Sequence, residues 1–249
     1  MEREIPNTRS DGLSDLRRTI QNIERRSQYH ARTAPISFGT AEIDVALPWG
    51  GLARGGLHEI NGDGGNFGFH AGLLRRAVGE NGNILWCRHA GVERETGRPY
   101  GPGLMHFGLN ADQFLFVRSR HAVDILWAME EGLRTPGLAA VVGDGIAPDF
   151  TATRRLQLAA EATNIPAFIL LPPRVLQQSA LPSAALTRWD IKTTCLAETK
   201  GSTRWQADLL RCRGGVPKNW IIEWNEQTLC FHLADILAGG ANATYKETA

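Results

Sequence analysis

Little in this chain is lopsided, and each missing extreme removes a class of protein. Lys and Arg number 27 against 26 Asp and Glu, a formal net charge of +1, so no overall field draws the molecule to nucleic acid or to a membrane surface. Any basic surface has to be local. Only four cysteines occur, Cys87, Cys195, Cys212 and Cys230, with no CxxC pair among them; a disulfide framework is not indicated, and a reducing compartment fits. The longest apolar runs, such as Ala167 to Leu171, fall far short of the roughly 20 residues that cross a bilayer. The chain opens on Met-Glu-Arg-Glu rather than on a secretory leader. The expectation is a cytoplasmic protein without a membrane partner.

What is present suits a folded domain, with 43% apolar and 21% charged residues in 249. Leu13, Leu16, Ile20 and Ile23 stand at helical spacing, which predicts an amphipathic helix over 13–26 that packs on its own domain or docks on a neighbour. Residues 1–35 are expected to form this helix and a linker, 36–237 the main domain, and 238–249 a disordered tail of small and polar residues. Within the domain, short apolar runs at 57–60, 83–87, 113–117, 138–142 and 166–171 alternate with helical periods at 71–78, 121–134 and 151–163. Strands alternating with helices imply crossover connections and a mostly parallel sheet flanked by helices. Asp149 or Thr151 can cap the last helix, and Asn164 before Pro166 can end it. After Pro172-Pro173 the helical periods vanish, and strand-like pieces at 187–195, 204–213, 219–224 and 228–233 predict an antiparallel C-terminal end. Asn225-Glu226-Gln227 is short enough for a hairpin loop.

The run Gly62-Asp63-Gly64-Gly65-Asn66-Phe67-Gly68 lies between an expected strand and an expected helix, where a phosphate-binding loop would sit. Such a loop needs backbone N–H groups freed by glycine, a Lys to offset the β/γ charge, and a Ser or Thr hydroxyl on Mg²⁺. With Gly68 as the final glycine, Phe69 holds the lysine position and His70 the hydroxyl position, and the loop carries one extra residue. A plain tight turn needs glycine as well. The loop therefore reads as a turn or a vestige. ATP and Mg²⁺ are not expected to bind, though the bare N–H groups leave weak anion binding open.

The stretch from Ile43 to Ile60, with Pro48-Trp49-Gly50-Gly51-Leu52-Ala53-Arg54-Gly55-Gly56 inside it, resembles the run before the phosphate loop of RecA-type recombinases. The departures at Phe69 and His70, joined to Leu209-Leu210-Arg211-Cys212-Arg213-Gly214-Gly215 and the later Trp220 to Trp224, make the chain look more like the ImuA family, RecA-like accessory proteins of bacterial inducible mutagenesis. The resemblance runs from about Ile36 to about Leu233 and implies a RecA-like α/β core. It also implies two further losses. Arg88 stands where recombinases carry a water-activating glutamate, and the strand resembling Walker B ends in Gly143 with Asp144 one step late. Charge neutralisation, metal ligation and water orientation are separate requirements of phosphoryl transfer. No catalytic residue is assigned.

Proteins similar to ImuA act with ImuB, a catalytically inactive Y-family polymerase homologue, and with an error-prone C-family polymerase, to copy damaged DNA once the SOS response is induced. On that resemblance this chain is a non-catalytic scaffold with those two partners, and RecA and DNA are further candidates. Two alternatives stay open: a DNA-binding protein that forms or caps RecA-type filaments, and an atypical ATPase using Asp144. For contact with DNA or a partner, Lys200, Arg204, Arg211, Arg213 and Lys218 lie near Trp205, Trp220 and Trp224, a mix of charge and rings that can follow a phosphate backbone and stack bases. Core tryptophans beneath solvated arginines explain the same pattern. By period two Arg211 and Arg213 share a strand face beside a Gly-Gly turn, which would leave them accessible. His89 beside Cys87 is too sparse to suggest a metal, and no other pair has ligand spacing.

Overall fold

A computed structural model describes residues 34–63, 66–172, 182–194 and 204–234. The expected helix at 13–26, the expected tail at 238–249, and Gly64, Gly65, Cys195 and Lys200 lie outside the described residues.

The described chain builds one sheet of nine strands: β1 (Leu57–Gly62), β2 (Asn83–His89), β3 (Phe114–Ser119), β4 (Leu138–Asp144), β5 (Ala167–Leu170), β6 (Thr187–Thr194), β7 (Arg204–Cys212), β8 (Lys218–Asn225) and β9 (Cys230–Leu233). Their spatial order is β3-β2-β4-β5-β1-β6-β7-β8-β9. Every pairing from β3 to β6 is parallel, and β6 to β9 form an antiparallel meander. The α/β class with antiparallel C-terminal strands is therefore as the sequence leads one to expect. The burial patterns follow from the two pairing modes. All of β5 is buried, as parallel strands covered on both faces must be. In β7 the inward Trp205, Ala207 and Leu209 alternate with the more accessible Gln206 and Asp208, until a bulge opposite Arg188 and Trp189 breaks the register.

Among the described residues six α-helices accompany the sheet: α1 (Ala41–Asp44), α2 (Phe67–Val78), α3 (Ala90–Thr96), α4 (Gly101–Met105), α5 (Ala122–Arg134) and α6 (Phe150–Thr163). Two cores form, one on each face. Leu73 of α2 joins Ile60, Trp86, Val142, Phe168 and Trp189, and Trp205, Trp224 and Phe231 extend that core under the meander. On the other face Ile125 and Met129 of α5 and Leu156 of α6 meet Leu57, Leu85, Val141 and Ile169. The Asp149 carboxylate caps α6 by accepting from the Ala152 amide at 2.8 Å, and Asn164 ends the helix in the left-handed region with φ 59°. Helices α3 and α4 had no counterpart in the sequence reading, because seven and five residues are too few to show a helical period. Among the described residues no helix is long and apolar enough to cross a membrane.

Candidate functional site at the end of β1

Strand β1 runs between β5 and β6 and ends at Gly62, and α2 starts at Phe67. The crevice outside the carboxyl ends of β1, β2, β4 and β5 is where open α/β sheets hold ligands. Here it encloses a cavity of about 440 Å³ lined by, among others, Phe67, His70, Trp86, Arg88, Tyr100 and Asp144.

The helix begins inside the expected turn, so Gly68, Phe69 and His70 are helical residues. Burial explains the earlier start. Phe69 is fully buried, with its ring centroid 5.3 Å from that of Phe231 and 6.4 Å from that of Trp205. The side chain at the lysine position thus enters the core under the meander. Gly68 is needed for contact as much as for any anion: a Cβ there would lie 2.7 Å from the Trp205 ring and 2.9 Å from Phe107. A Cβ on Gly62 would sit 1.9 Å from the Asn66 amide nitrogen. His70, at the hydroxyl position, is 6% exposed, lines the cavity, and has no hydrogen-bond partner at Nε2. Burial pushes its pKa down to about 3, so the imidazole is neutral near pH 7.

Arg88 and Asp144 are register partners on β2 and β4. The guanidinium Nε lies 2.9 Å from Asp144 Oδ2, a close ionic contact that lacks hydrogen-bond alignment. Trp86 Nε1 donates to the same oxygen at 3.1 Å. The remaining Arg88 nitrogens donate to the Gly97 carbonyl at 2.7 Å and to Thr96 Oγ1 at 2.5 Å. Burial raises the Asp144 pKa, while the Arg88 charge and the Trp86 bond hold it down. Strand β4 continues through Asp144. Gly143 faces the opposite core, where a Cβ would meet Met129 Sδ at 2.3 Å, so Asp144 supplies the carboxylate on the loop side.

These residues do not fit Mg²⁺-ATP. The lysine position is occupied by a ring that faces away, the hydroxyl position by a neutral imidazole, and the carboxylate that would approach a cation is held by Arg88. Among the described residues, no group of three or more His, Cys, Asp and Glu side chains is placed to hold a metal ion.

The C-terminal cations do not form one patch. Arg204 starts β7 and pairs with Glu223 at 3.1 Å, whereas Arg213 follows the strand's other end, about 30 Å away at 3.3 Å per residue. Arg211 is half-buried, donating to the carbonyls of Ser183 at 2.7 Å and Ala185 at 2.6 Å; the accessibility expected from the Gly-Gly turn does not extend to it. Arg213 and Lys218 are exposed, and Arg213 makes a longer bond of 3.3 Å to the Ala184 carbonyl. Trp205 and Trp224 are buried and Trp220 is partly so, which favours the core reading of the tryptophans. Sequence reasoning missed the cavity walls. Trp86 was legible, two places from Arg88 on one strand face, but Tyr100 and Phe107 flank a helix too short to announce itself.

No family model matches the chain. Two curated relatives do. The chain is 33% identical over 218 residues to Protein ImuA of Caulobacter vibrioides strain NA1000 / CB15N, with 78% of this chain and 85% of that protein covered. The figures are the same, 33% over 218 residues, for Protein ImuA of strain ATCC 19089 / CIP 103742 / CB 15 of that species.

Proposed function

The chain belongs to the ImuA family, and from that premise we propose that it is a non-catalytic accessory of DNA-damage-induced mutagenesis, a RecA-like scaffold in an error-prone lesion-bypass complex. The Arg88–Asp144 pair carries the reading. On the resemblance to recombinases it sets a positive charge at the position of the water-activating glutamate, and it engages Asp144, the carboxylate at the loop-side end of β4, with a cation of the protein itself. Turnover of ATP then has neither an activated water nor a metal ligand. What this chain contributes is surface: contacts with an ImuB-like Y-family homologue and through it with a C-family polymerase, in the cytoplasm, with RecA and DNA as secondary partners.

Co-purification from damage-induced cells tests this directly. The ImuB-like protein is expected to remain with the tagged full chain at moderate salt, and recovery of the chain without it defeats the proposal. Purified protein is expected to release no phosphate from ATP with Mg²⁺ above a no-enzyme control.

A second reading, RecA-type self-assembly, is favoured by one observation. Strand β3 ends the described sheet, and its Leu115 and Phe116, adjacent and so on opposite faces of the strand, are 59% and 49% exposed. An open apolar edge invites another strand or chain. If this edge joins copies of the chain, Phe116→Lys lowers the mass measured by light scattering; an unchanged mass removes the reading.

A further inference from the structure

The cavity at the end of β1 is shaped for a ligand other than phosphate. Its cations are already engaged: Arg88 faces Asp144 at 2.9 Å, and Arg98, at the rim and 81% exposed in its side chain, is bonded at 2.5 Å to Glu93, which Arg118 also contacts. An anion entering here would meet the Asp144 carboxylate, and among the described residues of the lining each cation already has an acidic partner. The walls are aromatic, with Phe67, Trp86, Tyr100, Phe107 and Trp205 all contributing. Besides Arg88 Nε, which has its ionic contact, one buried polar atom of the described lining has no partner. His70 Nε2 is buried, belongs to a side chain that lines the cavity, and has no partner, and a hydrogen bond left unmade at a buried nitrogen is costly. At about 440 Å³ the space falls within the range of small-molecule sites, roughly 300–1,000 Å³.

We propose that this cavity binds an uncharged planar nitrogen heterocycle, a nucleobase, stacked against the aromatic walls and hydrogen-bonded to His70 Nε2. Ring faces supply the stacking energy for any base, and the lone imidazole nitrogen orients it through a ring nitrogen or an exocyclic amine. The site thus inverts the usual use of this crevice: the heterocycle is recognised, and a phosphate tail contributes nothing. Two sources share that chemistry, a free nucleoside and a base of single-stranded DNA. The proposal stands apart from the scaffold reading, since partner co-purification does not depend on the cavity.

Trp86 and Trp205 line the cavity, so tryptophan fluorescence of the full chain reports occupancy. Adenosine, guanosine, ATP, a short single-stranded oligodeoxynucleotide and its abasic counterpart are titrated in turn. For a free nucleoside, adenosine or guanosine quenches the signal and ATP binds within about two-fold of adenosine. For a DNA base, the oligonucleotide binds and the abasic counterpart is at least ten-fold weaker. In either case His70→Leu weakens binding at least ten-fold. Gly103→Leu abolishes it by filling the cavity from α4, where the backbone is unstrained and a Cβ meets nothing nearer than the Tyr100 ring at 3.5 Å; this variant keeps the test valid if His70→Leu fails to fold. ATP binding ten-fold tighter than adenosine, no response to any probe at millimolar concentration, or binding unaffected by Gly103→Leu would each overturn the proposal.

Discussion

His58 and His70 are both buried and both neutral, but only one is satisfied. In His58, Nε2 lies 2.8 Å from the Ala53 carbonyl, which can only accept, so Nε2 carries the proton and Nδ1 accepts from Thr187 Oγ1 at 2.8 Å. Burial lowers the two pKa values to about 4 and about 3 from the ordinary 6.5. The unfolded chain therefore takes up protons that the folded chain refuses, and stability falls as pH drops through 6.5, levelling off only near pH 3–4. Relative to pH 7, each histidine is expected to cost about 2 kcal/mol at pH 5. Urea unfolding at the two pH values measures it, and His70→Leu should remove about half of the loss. The Arg88–Asp144 pair makes a second prediction. Arg88→Ala strands a buried carboxylate and should cost about 3 kcal/mol at pH 7, whereas Arg88→Met with Asp144→Leu should recover most of that. In the single variant Asp144 rises further above its ordinary pKa, so its deficit against the unaltered protein should shrink as pH falls and the carboxyl takes a proton. Arg88→Glu, the residue type that the resemblance to recombinases implies at this position, should create no ATPase activity because Asp144 then faces a like charge.

At the scale of the element, α6 shows how much of the fold was legible. Its cap at Asp149, its end at Asn164 and the buried run of β5 after Pro166 are local signals, written in side-chain chemistry and spacing. Asp149→Ala is expected to cost about 1 kcal/mol in thermal or denaturant unfolding, and no change would mean that the α6 terminus is held by packing alone. The start of α2 was not legible to the same degree. Glycines at 62, 64, 65 and 68 read as a turn, but the helix extends back to Phe67 because Phe69 reaches Phe231 of β9, 162 positions later in the chain. No window of local sequence carries that contact. The candidate site was divided in the same way: Phe69, His70 and Arg88 could be singled out one by one along the chain, whereas the pairing of Arg88 with Asp144 required strands β2 and β4 to lie side by side.

For the molecule as a whole, the spread of cations decides what contact with DNA can look like. Arg204 and Arg211 are committed to partners within the fold, so of the described candidate cations Arg213 and Lys218 are the ones exposed to a strand bound at the meander. Neutralising both with alanine should reduce the dependence of log binding constant on log salt by about 1.4 for single-stranded DNA, at roughly 0.7 per phosphate contact. Arg211→Ala should instead lower stability through the carbonyls it leaves unbonded.

Strand β1 sits between partners that lie far along the chain, with Leu57 beside Ala167 and His58 beside Thr187. During synthesis it emerges long before either neighbour and cannot be enclosed until β6 leaves the ribosome. The meander that follows closes through short-range pairings and completes the core over Phe69. Folding is therefore expected to be slow and governed by loop closure around β1, as high contact order demands. A chain stopped near residue 172 would expose one side of its central strand, which makes premature termination there a source of aggregation rather than of a smaller working domain.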